Sequence, residues 1–406
     1  MKQIYLDHAA TTYVDPEVLK AMTPYFSDEF GNPNAIYSTG LSARKAVDNA
    51  RETTAKILEC NFDEVIFTGS GTESDNLAVF GFVEKKQEEL KQPKENLHII
   101  TSKIEHHAVL YPFERLKKQG YKVTFLEVDK YGLVDPKKFR EALTPDTIFA
   151  SIMYANNEIG TVEPIKELCE IAHKHKNRFG EEVVFHTDAC QAAGALDIST
   201  RTLGVDLMTI NGSKIYGPKG VGVLYKKSSI KIHPQVVGGG QENSMRSGTE
   251  NVPGIIGFAK ALELAQKNRE KENKRLISLR EKLIQGIFKS IPRSYLNGHP
   301  TLRLPNNANI LILDIEGEAL LLHLDEKGIF VSTGSACNSK SLAPSHVLLA
   351  TGLPHAAVHG SIRMTLGKRT TEEDINYVLK VLPPIIEDLR KISPIHLDEK
   401  KLKLNR

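Results

Sequence analysis

Three short segments of this 406-residue chain carry residue types that can do chemistry together. The first, Gly-Ser-Gly-Thr-Glu-Ser at 69–74, follows an apolar run ending at Thr68 and opens a helix-like stretch. Small residues before a helix leave backbone N–H groups exposed at its positive end, which suits a phosphate. No Gly-Lys-Ser/Thr follows, so this is not a nucleoside-triphosphate loop. The second, His-Thr-Asp-Ala-Cys-Gln at 186–191, places Asp188 at the end of a buried-type strand, where a carboxylate needs a cation or water. In the third, Asn-Gly-Ser-Lys-Ile-Tyr-Gly-Pro-Lys-Gly at 211–220, Lys214 also follows a strand. A lysine desolvated there can lose its proton and condense with an aldehyde. Taken singly, each segment has an ordinary structural reading as a turn, a helix cap or a loop lysine.

A phosphate cradle, an acid and a lysine 26 residues beyond it are together what a pyridoxal phosphate enzyme requires. The lysine holds the cofactor covalently, and the acid keeps the pyridine nitrogen protonated so that the ring acts as an electron sink. The loops after Thr101 and Tyr154 add His106 and Asn157, suited to stacking on a ring and to hydrogen bonding a polar substituent.

Elements must deliver these residues to one place. From about 40 to 235, helix-like stretches (42–59, 73–91, 164–175) alternate with apolar or β-branched runs at 64–68, 98–101, 123–127, 148–154, 183–187, 207–211 and 222–225. The alternation predicts an α/β fold, a mostly parallel central sheet with helices on both faces, and puts sites beyond the carboxyl ends of its strands. A Gly-rich segment at 236–254 ends this region, and a charged helix is expected from 257 to 290 with a solvated middle. After Pro305 an apolar run opens a second α/β unit. The expected domains are a large one at 15–255 and a smaller α+β one made of 1–14 and 256–406.

Composition sets outer limits. A net charge of +3 argues against a protein built mainly for nucleic acid or an anionic membrane, and 40% hydrophobic with 25% charged residues is globular. Four cysteines (Cys60, Cys169, Cys190, Cys337), none in a CxxC pair, exclude a disulfide framework and a zinc knuckle and suit a reducing compartment. His355 and His359 are spaced like metal ligands on a helix, but no nearby cysteine or acid completes a set, and no metal is expected. The N-terminal residues form neither a signal nor a transit pattern, and no apolar run nears the roughly 20 residues of a membrane span. The expectation is a soluble, cytoplasmic protein with a frayed basic tail from Lys391.

At this point the sequence resembles a known family. Tyr-Leu-Asp-His-Ala-Ala-Thr-Thr (5–12), Gly-Asn-Pro (31–33), Gly-Thr-Glu-Ser-Asp-Asn (71–76), Glu-His-His-Ala-Val (105–109) and Asn-Asn-Glu-Ile-Gly (156–160) are similar to segments of NifS/IscS-like cysteine desulfurases. So are the Asp188 and Lys214 segments, Arg-Ser-Gly-Thr-Glu-Asn (246–251), Ser-Thr-Gly-Ser-Ala-Cys (332–337) and Ser-Ile-Arg-Met-Thr-Leu-Gly (361–367). The resemblance implies a fold-type I pyridoxal phosphate transferase, a homodimer, that converts L-cysteine to L-alanine. The sulfur would pass as a persulfide to acceptor proteins, such as an iron–sulfur scaffold or a tRNA-thiolation carrier.

By motif position, the resemblance gives Lys214 the covalent hold on the cofactor and a later proton shuttle. Asp188 would pair with the pyridine nitrogen, His106 stack on the ring and Gln191 hydrogen-bond its hydroxyl. Asn157 would contact cofactor and substrate carboxylate, and Gly71 and Thr72 the phosphate, with Thr249 reaching in from the partner subunit. Arg363 would clamp the substrate carboxylate. Cys337 would be the nucleophile, on a loop of small residues, while Cys60, Cys169 and Cys190 read as packing residues. One departure stands out: Asn211 and Ser213 replace the family's usual Ser and His before the lysine. Both can still donate hydrogen bonds to a phosphate, but a potential cation is lost. The alternatives are a selenocysteine lyase or other β-lyase of the same fold, and a catalytically weakened regulatory paralogue.

Overall fold

The structure is a computed structural model that describes residues 2–333, 344–394, 396–399 and 402. Twelve strands run through the described residues: β1 (Ile4–Tyr5), β2 (Val65–Thr68), β3 (His98–Ser102), β4 (Lys122–Leu126), β5 (Thr147–Ser151), β6 (Val184–Asp188), β7 (Leu207–Asn211), β8 (Gly222–Lys226), β9 (Ser294–Leu296), β10 (Asn307–Ile312), β11 (Ile329–Phe330) and β12 (Ser361–Thr365). Seven of them form the expected sheet in the order β2-β8-β7-β6-β5-β3-β4. All run in one direction except β8, which is antiparallel to both neighbours. The runs around β3 and β5 are buried along their whole length, as parallel strands covered on both faces must be. Registers such as Ser151 opposite His186 and Asp188 opposite Thr209 bring the strand ends level. That alignment lets residues far apart in sequence meet.

The edge strand β2 would leave its outer N–H and C=O groups unpaired. Helix Ser38–Leu58 supplies Arg51, whose Nη1 donates to the Val65 carbonyl at 2.5 Å. Arg51 also holds Glu242 in a two-pronged pair (2.8 and 2.7 Å), and Glu242 Oε2 accepts the Phe67 N–H at 2.9 Å. A buried ion pair thus stands in for the missing strand, and it fixes the strand that leads into the 69–74 segment.

A smaller antiparallel sheet, β12-β10-β9, and a parallel pair, β1-β11, enclose a second core around Ile4, Leu6, Leu283, Ile310, Ile362 and Val378. Helix Val252–Ser290, longer than expected, joins the two cores. Its first half gives Ile255, Phe258 and Leu262 to the large core, and its second half gives Leu276, Leu283 and Ile287 to the small one. Its charged middle is therefore not merely solvated. Arg280 is buried and donates to the Leu304 carbonyl at 2.7 Å. The expected fraying of the tail is also corrected at Leu397, whose N–H donates to Asp314 Oδ1 at 2.9 Å. Among the described residues no helix is long and apolar enough to cross a membrane.

Breaking a buried pair strands its partner's charge. Arg51→Met should therefore cost about 3–5 kcal/mol, read as a lower urea midpoint. A midpoint equal to wild type would show that β2 needs no such partner.

Candidate active site

Five strand ends meet at one cavity. β2 leads to Gly71 and Thr72, β3 to Glu105 and His106, β5 to Asn157, β6 to Asp188 and β7 to Lys214. Each residue stands where a parallel strand ends and a turn or helix begins, the usual place for a site in such sheets. Arg363 arrives from β12 of the small sheet. The cavity holds about 270 Å³ and is lined by Gly71, Thr72, His106, Asn157, Asp188, Gln191, Asn211, Lys214 and Arg363, nine of the expected site residues. Ser213 is buried beside it, its hydroxyl 3.3 Å from Asn211 Oδ1, and is not among the lining residues. Thr249 is exposed on the surface and is also absent from this chain's lining. Cys337 lies outside the described residues.

Lys214 ends a short 3₁₀ turn and donates from Nζ to the carbonyls of Ala9, at 2.8 Å, and Ala10. Gln191 Nε2 donates to the same Ala9 carbonyl at 3.0 Å. Asp188 is buried and accepts the Cys190 N–H on Oδ1 at 2.9 Å, a local turn that fixes its carboxylate. His106 caps helix His107–Lys118: its Nδ1 accepts the Ala108 N–H at 3.1 Å, so the ring proton sits on Nε2. Burial lowers the His106 pKa, partly offset by Asp188, and keeps the ring neutral.

At the cradle, Ser70 caps helix Gly71–Leu90 by accepting the Glu73 N–H at 3.1 Å. The N–H groups of Gly71 and Thr72 have no acceptor among the described residues, as expected at a helix start. A Cβ on Gly71 would lie 2.8 Å from Cys190 Sγ and 3.2 Å from Asn211 Cβ. Cys190 is thus a packing residue, as its sequence suggests, and what it packs against is the cradle. Its sulfur closes the cradle, and burial followed by the Asp188 charge raises its pKa well above that of a free thiol. Asn211 Oδ1 takes the Ser213 N–H at 3.1 Å, which leaves the amide Nδ2 on the Gly71 side, 3.4 Å from that Cβ position. Of the two replaced phosphate donors, Asn211 is thus the one aimed at the cradle.

Sequence reasoning missed several lining residues. Asp75, Glu105 and Glu158 line the cavity, each buried, and each has one carboxyl oxygen without a hydrogen-bond partner. Burial, reinforced by the Asp188 charge, raises Asp75 well above the ordinary carboxyl range. Burial raises Glu105 to about 8 despite its bonds from Ser102 and Met153, and Glu158 to about 7 despite Ser345 and Arg363. All three lie within quoted motifs, yet nothing in their spacing separates a cavity acid from a surface one. Asp7 was missed too; its Oδ1 accepts from Arg363 Nη2 at 2.7 Å, while Nη1 donates to the Asn157 carbonyl at 3.2 Å. His355 and His359 have rings 5.0 Å apart, and no cluster suited to a metal occurs among the described residues.

These residues fit pyridoxal phosphate. Open amides and the Asn211 amide can take the phosphate, Lys214 can bond the aldehyde carbon, and Asp188 can face a ring nitrogen. A glycine whose missing Cβ is filled by neighbours is what a close phosphate contact needs. Gly71→Ala should weaken pyridoxal phosphate binding on the order of tenfold, the loss of one charge-assisted hydrogen bond, measured by equilibrium dialysis. Adding Cys190→Ala should restore part of the loss by making room; equal affinities in all three proteins would contradict this packing account.

Comparison with known proteins agrees with the geometry. The profile of class-V aminotransferases matches residues 4–378. A protein named cysteine desulfurase IscS from Clostridium botulinum is 50% identical over 404 residues, covering 99% of each chain. One of the same name from Methanosarcina thermophila is 50% identical over 394 residues, 97% of this chain and 94% of its own. A solved structure described as a NifS-like protein superposes with a TM-score of 0.87 at 36% identity, covering 96% of this chain and 100% of its own. The chain therefore belongs to the class-V aminotransferase family, within its NifS/IscS-like cysteine desulfurases.

Proposed function

We propose that this chain is a pyridoxal-phosphate-dependent cysteine desulfurase, acting in the cytoplasm as a homodimer. The observation that carries the reading is one cavity that unites Lys214, Asp188, the Gly71–Thr72 cradle and Arg363. When bound, the cofactor supplies an electron sink that loosens bonds at the substrate's α-carbon and next to it. The chain's own residues do the rest. Gly71, Thr72 and Asn211 hold the phosphate, with Thr249 of the opposite subunit and Ser213 in support. Asp188 keeps a proton on the pyridine nitrogen, Gln191 bonds the ring hydroxyl and His106 stacks on the ring.

Arg363 binds the L-cysteine carboxylate with Asn157 beside it, and Lys214 moves a proton at the α-carbon. Cys337 takes the sulfur: its thiolate bonds to the substrate sulfur as that sulfur leaves carbon. L-cysteine and the Cys337 thiol thus become L-alanine and a Cys337 persulfide, with atoms balanced. An acceptor protein's thiol then takes the outer sulfur and returns Cys337 to its thiol form. Iron–sulfur assembly and tRNA thiolation are the processes such acceptors serve.

His106 qualifies this scheme in a useful way. With Nδ1 capping a helix and the proton on Nε2, it offers the cavity a donor rather than a base.

A pulse of L-cysteine followed by mass spectrometry should add one sulfur to the peptide that contains Cys337. Cys337→Ala should cut alanine formation at least about a hundredfold, and Lys214→Ala should abolish turnover. Full turnover in Cys337→Ala would replace this reading with a β-lyase. A colourless wild-type protein that pyridoxal phosphate cannot reconstitute would end the enzyme reading.

A further inference from the structure

Glu158 is an acid that the reaction above does not use, and it is set into the substrate end of the cavity. Its main chain is held on both sides. The N–H donates to Asn156 Oδ1 at 2.8 Å, and the carbonyl accepts the side-chain amides of Asn307 and Asn309 at 3.1 and 2.9 Å. Asn309 is the register partner of Arg363 across β10 and β12. The same ladder thus positions the acid and the arginine. Glu158 Oε1 is buried without a partner, and so is Arg363 Nε.

The charges at this end do not balance once a substrate arrives. Arg363 is a single buried cation, and Asp7 already holds it at 2.7 Å. A substrate carboxylate brings a second anion to that cation, and an ionised Glu158 would be a third. Burying an unpaired charge costs more than protonating a carboxyl near neutral pH. We propose that Glu158 is neutral whenever a substrate carboxylate sits on Arg363, so that recognition takes one proton from solvent onto Glu158. This deepens the proposed function and rests on Arg363 as the carboxylate anchor.

The other titratable groups lining the cavity are Asp75, Glu105, His106, His107, Asp188, Cys190, Lys214 and His346, and Asp7 is bonded to Arg363. Among the three acids with an unpartnered oxygen Glu158 is distinguished by its place. Arg363 is among the charges acting on it, whereas Asp188 acts on Asp75 and Glu105. Burial raises Glu158 to about 7, which sets the sign of the effect. Below that pH the acid is already neutral and binding needs no proton. Above it, each unit of pH makes the neutral form tenfold rarer.

The test uses the holoenzyme and 3-mercaptopropionate, which is cysteine without its amino group and so reports on the carboxylate alone. Wild-type Kd should rise about tenfold per pH unit above about pH 7. Glu158→Gln should hold the low-pH affinity within about twofold over the same range. Calorimetry at about pH 8 in two buffers of different ionisation enthalpy should give a wild-type uptake about one proton larger than in Glu158→Gln. A flat wild-type Kd, or a Glu158→Gln curve parallel to it, overturns the proposal. Arg363→Gln separates the underlying reading: undiminished affinity at low pH would remove the carboxylate anchor and this inference with it.

Discussion

Lys214 follows a strand of the large sheet and Arg363 stands on the small one, and one segment at residues 7–12, which opens with a turn, holds them in a common cavity. Asp7 takes the Arg363 guanidinium, and the carbonyls of Ala9 and Ala10 take the Lys214 ammonium. Thr12 bonds to the Ser213 carbonyl from both its N–H and its hydroxyl, at 2.9 and 3.0 Å, and its Oγ1 accepts the Tyr216 N–H. Behind them, the Ala9 N–H donates to Thr365 Oγ1 at 2.9 Å, which fastens the segment to β12. Every one of these bonds is directional and buried or half-buried. A small displacement of the segment would therefore change the cofactor end and the substrate end together.

The second constraint is electrostatic. Four carboxyl groups line the cavity, Asp75, Glu105, Glu158 and Asp188, facing Lys214 and Arg363. A cofactor phosphate and a substrate carboxylate would both be repelled if all four were charged. Burial eases the conflict by keeping protons on Asp75 and Glu105 near neutral pH and by raising Glu158 to about 7, while the Cys190 N–H fixes Asp188. Behind Asp188, His186 bridges Ser151 and Thr209 at 2.8 and 3.1 Å, and burial lowers its pKa to about 3. The wall of the site is thus hydrogen-bonded yet carries little net charge.

Much of this was legible in the sequence because parallel strands leave strong signatures. Short apolar or β-branched runs leading to Asp188 and Asn211 marked both the strands and the place where chemistry would follow. The reversal of β8 carries no such mark, since a buried strand reads the same in either direction. Glu158 and Asp7 needed three dimensions, as their partners lie about 150 to 360 residues away in the chain. The place where Cys190 packs was hidden for a related reason: a small thiol looks alike whether it packs in a core or fills the gap left by a glycine. Arg51 and Glu242, 191 residues apart, would pass as surface charges on any local reading.

The contact between residue 7 and β12 also bears on how the protein is made. Asp7 is synthesised 356 residues before its partner Arg363. Until β12 emerges, the segment at 7–12 has no ladder to join, although the seven-stranded sheet and its lysine are already complete. Contacts of such long separation form late in folding, after local elements have settled. The growing chain therefore carries a scaffold without a finished site until β12 has been made.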